Sequence, residues 1–234
     1  MTKPILLLTR PEQSARRFAA QLSELARART RLLMSPLMRI EPLSPRYDLG
    51  PYAGVVFTSA NGVVNAPPGE GRPAYCVGPY TAEVANGRGW RAQMCGLEAN
   101  EMVARLGAEP VAGPLAHLAG AHRRGEVAQR LSALGMHTDV IETYDQRLLN
   151  LSDEAQSSLG GTELVLVPLF SPRSAAHFAA QTEDRDNISV IALSKPVAEA
   201  LDGRFQQGLG IADEPTGASM VEAVEKRITR ATLA

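Results

Sequence analysis

Hydroxyl side chains gather in this sequence where apolar runs stop. Gly54-Val-Val-Phe57 runs into Thr58-Ser-Ala-Asn61, and Leu164-Val-Leu-Val-Pro-Leu-Phe170 runs into Ser171-Pro-Arg-Ser174. Ser59 or Asn61 can cap a following helix, and the N–H groups left free at a helix start favour an anion. Ser59, Ser171 and Ser194 are not read as nucleophiles, because no Gly-x-Ser-x-Gly elbow surrounds any of them. Capping is their ordinary role, and receiving carboxylates or phosphates is compatible with it. Gly78-Pro79 is a tight turn of the same kind, yet no Gly-x-Gly-x-x-Gly and no Walker sequence is present, which argues against a nucleotide. Arg10, Arg123, Arg124, Arg173 and Lys195 lie at or near predicted strand-to-helix turns, where they could meet an anion.

Metal chemistry finds no support. None of His117, His122, His137 and His177 pairs with another histidine or a cysteine at ligand spacing, so solvated or capping histidines are expected. Cys76 and Cys95 stand alone without a Cys-x-x-Cys, which points to reduced thiols rather than a disulfide scaffold. Tyr144 ends a predicted strand, a place where residue type alone points to interface packing.

Composition narrows the class. A formal net charge of −1 lacks the basic excess of a general nucleic-acid binder. It leaves room for a locally positive ligand site. With 44% hydrophobic and 21% charged residues the chain reads as an ordinary soluble protein. The apolar run near the start is too short for a signal peptide, and no stretch could span a bilayer. A cytoplasmic location is the expectation. At 234 residues, two domains are the better prior.

The positioning elements alternate. Strands are predicted at 4–8, 31–40, 55–58, 74–77, 92–95, 115–118, 137–144, 164–169 and 188–193. Helices are predicted around Ala15-Phe18-Leu22-Leu25, over 100–106 with Gly107 as the stop, through Val127, Leu131 and Leu134 to Gly135, and over 152–159, 174–180 and 196–205. A last helix should turn Met220, Val221, Val224 and Ile228 inward. Any helix after Asn61 must be short, since prolines and glycines fill 65–73. Regular alternation of this kind implies parallel sheets with right-handed crossovers. Pro42, Pro45, Gly50 and Pro51 mark a crossing into another domain. A weak internal echo, Phe57-Thr-Ser-Ala-Asn-Gly against Phe170-Ser-Pro-Arg-Ser, suggests duplication of a domain rather than an array.

Short motifs follow one another in the order Leu-Thr-Arg-Pro (8–11), Val-Phe-Thr-Ser-Ala-Asn-Gly-Val (56–63), Val-Gly-Pro-Tyr-Thr-Ala (77–82), His-Leu-Ala-Gly (117–120), Thr-Tyr (143–144), Phe-Ser-Pro-Arg-Ser-Ala (170–175) and Pro-Thr (215–216). In this order they resemble the uroporphyrinogen-III synthase family. The resemblance implies two flavodoxin-like α/β domains with parallel sheets, joined by a two-stranded linker with a cleft between them. One would be discontinuous, 1–40 with 145–234, and the other inserted at 41–144.

The implied activity is cyclisation of hydroxymethylbilane to uroporphyrinogen III, with loss of water and inversion of ring D. A pyrrole nitrogen lone pair can expel the hydroxyl, so no cofactor and no metal is implied. The substrate is a small molecule, a linear tetrapyrrole with eight carboxylates. Arg10, Thr58, Ser59, Asn61, Gly78, Thr81, Gly120, Ser171, Ser174, Ser194, Lys195 and Thr216 are the implied binding residues. Tyr144 stands where the family carries a tyrosine and is the implied catalytic residue. Ser194, Lys195 and Val197 occupy a turn where the family usually shows Gly and Thr. No nucleic-acid or membrane partner is expected, and a monomer is. The alternative is a non-catalytic module that binds a small anion on the same scaffold.

Overall fold

The computed structural model describes residues 3–43, 47–123 and 126–233, so Pro45 and Arg124 lie outside the described residues. The chain divides into two compact units, Met1–Arg39 with Arg147–Ala234, and Ile40–Gln146. The first unit opens with β1 (Ile5–Leu8), α1 (Glu12–Gln21), α2 (Glu24–Arg29) and β2 (Arg31–Met34). The chain leaves it through β3 (Met38–Pro42). The second unit then runs β4 (Gly54–Phe57), α3 (Ala60–Val64), β5 (Pro73–Val77), α4 (Pro79–Gly87), β6 (Arg91–Gly96), α5 (Ala99–Ala108), β7 (Leu115–Gly120) and α6 (Val127–Ala133). The chain returns through β8 (Thr138–Leu148). The first unit finishes with α7 (Asp153–Gly160), β9 (Val165–Leu169), α8 (Pro172–Gln181), β10 (Ile188–Ala192), α9 (Lys195–Glu199), β11 (Gly210–Ile211) and α10 (Gly217–Leu233).

Among the described residues the first unit holds a sheet in the order β2-β1-β9-β10-β11, with these neighbours parallel. Counted within the unit this is 2-1-3-4-5, the flavodoxin-like order, and it reverses between β1 and β9. The second unit's sheet runs β3-β8-β7-β4-β5-β6, with β4 to β8 pairing in parallel. Numbered in chain order from β4 and read from β6, those strands run 3-2-1-4-5, so this order reverses between β4 and β7.

Side-chain alternation explains why the central strands are apolar throughout. Along a strand, successive residues point to opposite faces. Ile5 and Leu7 of β1 join one core with Phe178 and Val190, whereas Leu6 and Leu8 join another with Phe18 and Met220. Val55 and Phe57 of β4 face Val63 and Trp90, and Val56 faces Met102 and Leu131. Both faces are covered by helices, so neither position tolerates a polar residue without a partner.

Several predicted helices are cut differently. The helix expected to bury Leu25 is two helices: Ser23 caps α2 by accepting from the Ala26 N–H, and Leu25 is 58% exposed. Helix α5 runs through Gly107 to Ala108 rather than stopping there. Leu134 lies just past α6 and is exposed, although Val127 and Leu131 are buried as expected. The helix expected over 196–205 stops at Glu199, because Asp202, Gly203 and Phe205 take positive φ and end helical continuation. In α10, Met220, Val224 and Ile228 are buried, and Val221 only partly. No described helix is long and apolar enough to cross a membrane.

Candidate functional site

Open α/β sheets bind ligands beyond the carboxyl ends of their strands, where the strand order reverses. In the first unit that place lies between β1 and β9. It brings together Arg10, which follows β1, and Ser171, which follows β9. The Arg10 guanidinium carbon sits 4.1 Å from the centroid of the Phe170 ring, a cation–π contact that holds it at the turn. Burial, with the Arg17 charge adding to it, pulls Arg10 down to about 10. It therefore remains a cation at neutral pH. Ser171 Oγ accepts from the Ser174 N–H at 3.1 Å and donates to Ser174 Oγ at 2.9 Å, so both hydroxyls belong to the α8 cap.

The neighbouring turns of this sheet add less. Ser194 holds the N-cap position of α9 without a side-chain cap bond. Lys195 is solvent-exposed, 3.8 Å from Glu199. Thr216 is exposed too, and its Oγ1 accepts from the Ser219 N–H at 3.1 Å.

In the second unit the reversal between β4 and β7 gathers Thr58, Ser59, Gly120 and Tyr144. Ser59 caps α3 by accepting from the Asn61 N–H at 3.2 Å. Thr58 Oγ1 lies 3.2 Å from His117 Nε2 on β7. The β7–β8 register shifts between Ala119 and Gly120, so that Gly120 pairs with Tyr144 rather than Thr143. Bulges of this kind re-aim a side chain. Here the result is that the Tyr144 ring covers Gly120: a Cβ at Gly120 would meet Tyr144 Cε2 and Cζ at 2.7 Å. Tyr144 is 4% exposed. Burial raises its phenol above the usual value, while hydrogen bonding by the Ser59 and Gln146 side chains and the Gly120 backbone pulls the other way. The phenol is protonated at neutral pH.

Gly78, between β5 and α4, needs its glycine: φ is 77°, and its N–H donates to the Gly96 carbonyl at 2.8 Å. Thr81 lies inside α4 and is 7% exposed, which sets it apart from the exposed turn residues. Arg123 is engaged with Glu142 at 2.8 Å and with the Gly120 and Ala121 carbonyls. No group of three or more metal-ligating side chains occurs among the described residues.

Two contributors escaped the sequence reading. His117 was expected to be solvated or capping, yet it is 2% exposed in the interior of β7. The signal was available: Leu115-Ala-His-Leu-Ala119 is an interior-strand run, whose residues are covered on both faces. Gln146, which faces the Tyr144 phenol, carries no comparable signal in the sequence. His177, by contrast, lies within hydrogen-bonding distance of the Leu149 carbonyl at 2.8 Å.

The family profile described as uroporphyrinogen-III synthase HemD matches residues 19–222. The chain belongs to the uroporphyrinogen-III synthase family. Solved structures agree at the level of fold. The uroporphyrinogen-III synthetase from Helicobacter pylori superposes with a TM-score of 0.69 at 17% identity, over 97% of this chain and 100% of that one. A mutant uroporphyrinogen III synthase from the extreme thermophile Thermus thermophilus gives 0.54 at 14% identity, over 97% and 99% of the two chains. Among curated protein sequences none matches. Membership in the family favours the enzyme over the non-catalytic anion module.

Proposed function

We propose that the chain cyclises hydroxymethylbilane to uroporphyrinogen III, a lyase reaction of tetrapyrrole biosynthesis. The observation that carries this is the family match across residues 19–222. The chemistry asks for little beyond positioning. Loss of the hydroxyl from the linear tetrapyrrole is driven by a pyrrole nitrogen lone pair and leaves an electrophilic azafulvene. Ring D must then attack that electrophile through its substituted carbon, giving a spiro intermediate that fragments and recloses inverted. Holding reacting carbons in the right geometry is worth a large part of such a barrier.

Tyr144 is the proposed acid. A buried, protonated phenol can donate to the departing hydroxyl without placing a charge in the interior. Arg10 and the hydroxyls of Thr58, Ser59, Ser171 and Ser174 are proposed to receive substrate carboxylates, together with Asn61, Gly78, Thr81, Gly120, Ser194, Lys195 and Thr216. Backbone N–H groups at the helix starts would share that load, which suits a chain with a net charge of only −1. The chain is proposed to act as a cytoplasmic monomer, without a nucleic-acid or membrane partner.

The test follows enzymatically generated hydroxymethylbilane with and without the protein. Consumption well above the uncatalysed rate supports the enzyme. Saturable binding with no acceleration would instead support a module that senses the anion.

A further inference from the structure

His117 and Thr58 meet where the second unit's strand order reverses. His117 is 2% exposed, and its Nε2 lies 3.2 Å from Thr58 Oγ1. Its Nδ1 is buried and has no hydrogen-bond partner. Burial, with Arg123 nearby adding to it, lowers the imidazole to about 4, so it is neutral at physiological pH. A neutral imidazole carries one N–H. Placing that proton on Nδ1 would orphan a buried donor. Placing it on Nε2 makes a bond to Thr58 and leaves only a lone pair unmatched at Nδ1. Orphaned buried N–H groups are the rarer of the two, so the proton belongs on Nε2.

The consequence falls on Thr58. Its oxygen accepts from His117, and it makes no other hydrogen bond among the described residues. Its own O–H must therefore be given elsewhere. Thr58 follows β4 and is half-buried beside Ser59, so its proton is available at the carboxyl edge of the sheet. We propose that His117 is a positioning residue that leaves the Thr58 O–H free to donate, so that this spot can receive an acceptor-only group, a carboxylate of the substrate. This rests on the function proposed above. The opposite tautomer would spend the Thr58 proton on His117 and leave its oxygen only to accept.

Two measurements decide it. Long-range ¹H–¹⁵N correlation spectra of the full chain, labelled at histidine and without substrate, should give His117 the signature of an Nε2–H tautomer. A proton on Nδ1 overturns the proposal whatever the activity. With hydroxymethylbilane as the probe, Thr58→Val should raise KM about tenfold, as expected for one hydrogen bond to a charged group, with a smaller change in kcat. His117→Leu should raise KM similarly, and combining it with Thr58→Val should add nothing. His117→Gln, whose side-chain N–H can reach from the Nε2 position, should restore KM toward the parent value. A merely structural His117 would lower the folded fraction and leave KM alone, with no selective rescue by Gln, and that result overturns the proposal. If His117→Leu does not fold, the spectrum and the Thr58→Val constants still decide. Absence of turnover by the parent chain would count against the proposed function, while the spectrum would still report the tautomer.

Discussion

Replacing Gly120 with alanine tests whether the Tyr144 ring is held where the account requires it. The new Cβ would lie 2.7 Å from Tyr144 Cε2 and Cζ and 3.0 Å from Oη. Carbon atoms in contact rest at about 3.5–4.0 Å, so the ring must retreat by roughly 1 Å. It has nowhere cheap to go, being 4% exposed and paired across the β7–β8 bulge. Overpacking of this kind typically costs about 1–3 kcal/mol, and urea titrations of the two proteins would read it. The same retreat draws the phenol off Ser59 and Gln146. A 1 Å misplacement of a reacting group can cost on the order of 10²-fold, so turnover of the folded variant should fall by that order. The control is Gly120→Ala in a Tyr144→Ala background, where the ring is gone. There the added methyl should cost less than about 0.5 kcal/mol, as for sites that no longer interact. Equal cost in both backgrounds, or unchanged stability and turnover in Gly120→Ala alone, would refute the packing argument.

Tyr144→Phe keeps the ring over Gly120, so stability should fall by only about 1 kcal/mol for the lost hydrogen bonds; turnover should fall by roughly 10²-fold, and unchanged turnover in the folded protein removes the acid role. Ser171→Ala should cost about 1 kcal/mol through loss of the α8 cap, while Ser194→Ala, which breaks no side-chain cap bond, should leave the melting temperature nearly unchanged. His117 titrates near 4 in the fold against 6.5 when exposed, so its stabilising share is complete above about pH 6.5 and is lost as pH falls toward 4. That loss amounts to about 3 kcal/mol and should be missing from the pH–stability curve of a folded His117→Gln variant.

Elements with apolar faces on both sides were legible in the sequence, and elements held by local capping or by tertiary contact were less so. The strands at 55–58 and 164–169 declare themselves by unbroken apolar runs, because a parallel strand is covered twice. The Ser59 and Ser171 caps follow from residue type next to such a run. The split at Ser23 was hidden by an apolar spacing that happens to continue through Leu25, which faces solvent. The early end of α9 depends on left-handed turns at Asp202, Gly203 and Phe205; Asp-Gly is a turn signal that the helical spacing overrode in the sequence reading, whereas an aromatic residue such as Phe205 does not announce positive φ. At the site, Tyr144 was suggested only by motif order, and its geometry depends on a register shift that no periodicity encodes. The His117–Thr58 pair joins residues 59 positions apart in sequence, through the strand reversal.

The most direct test of the central claim is the isomer composition of the product formed from hydroxymethylbilane, resolved after oxidation to the porphyrin. A chain that holds the substrate for inversion of ring D should yield predominantly the type III isomer. Product that is only type I, the outcome of unguided closure, would contradict the account.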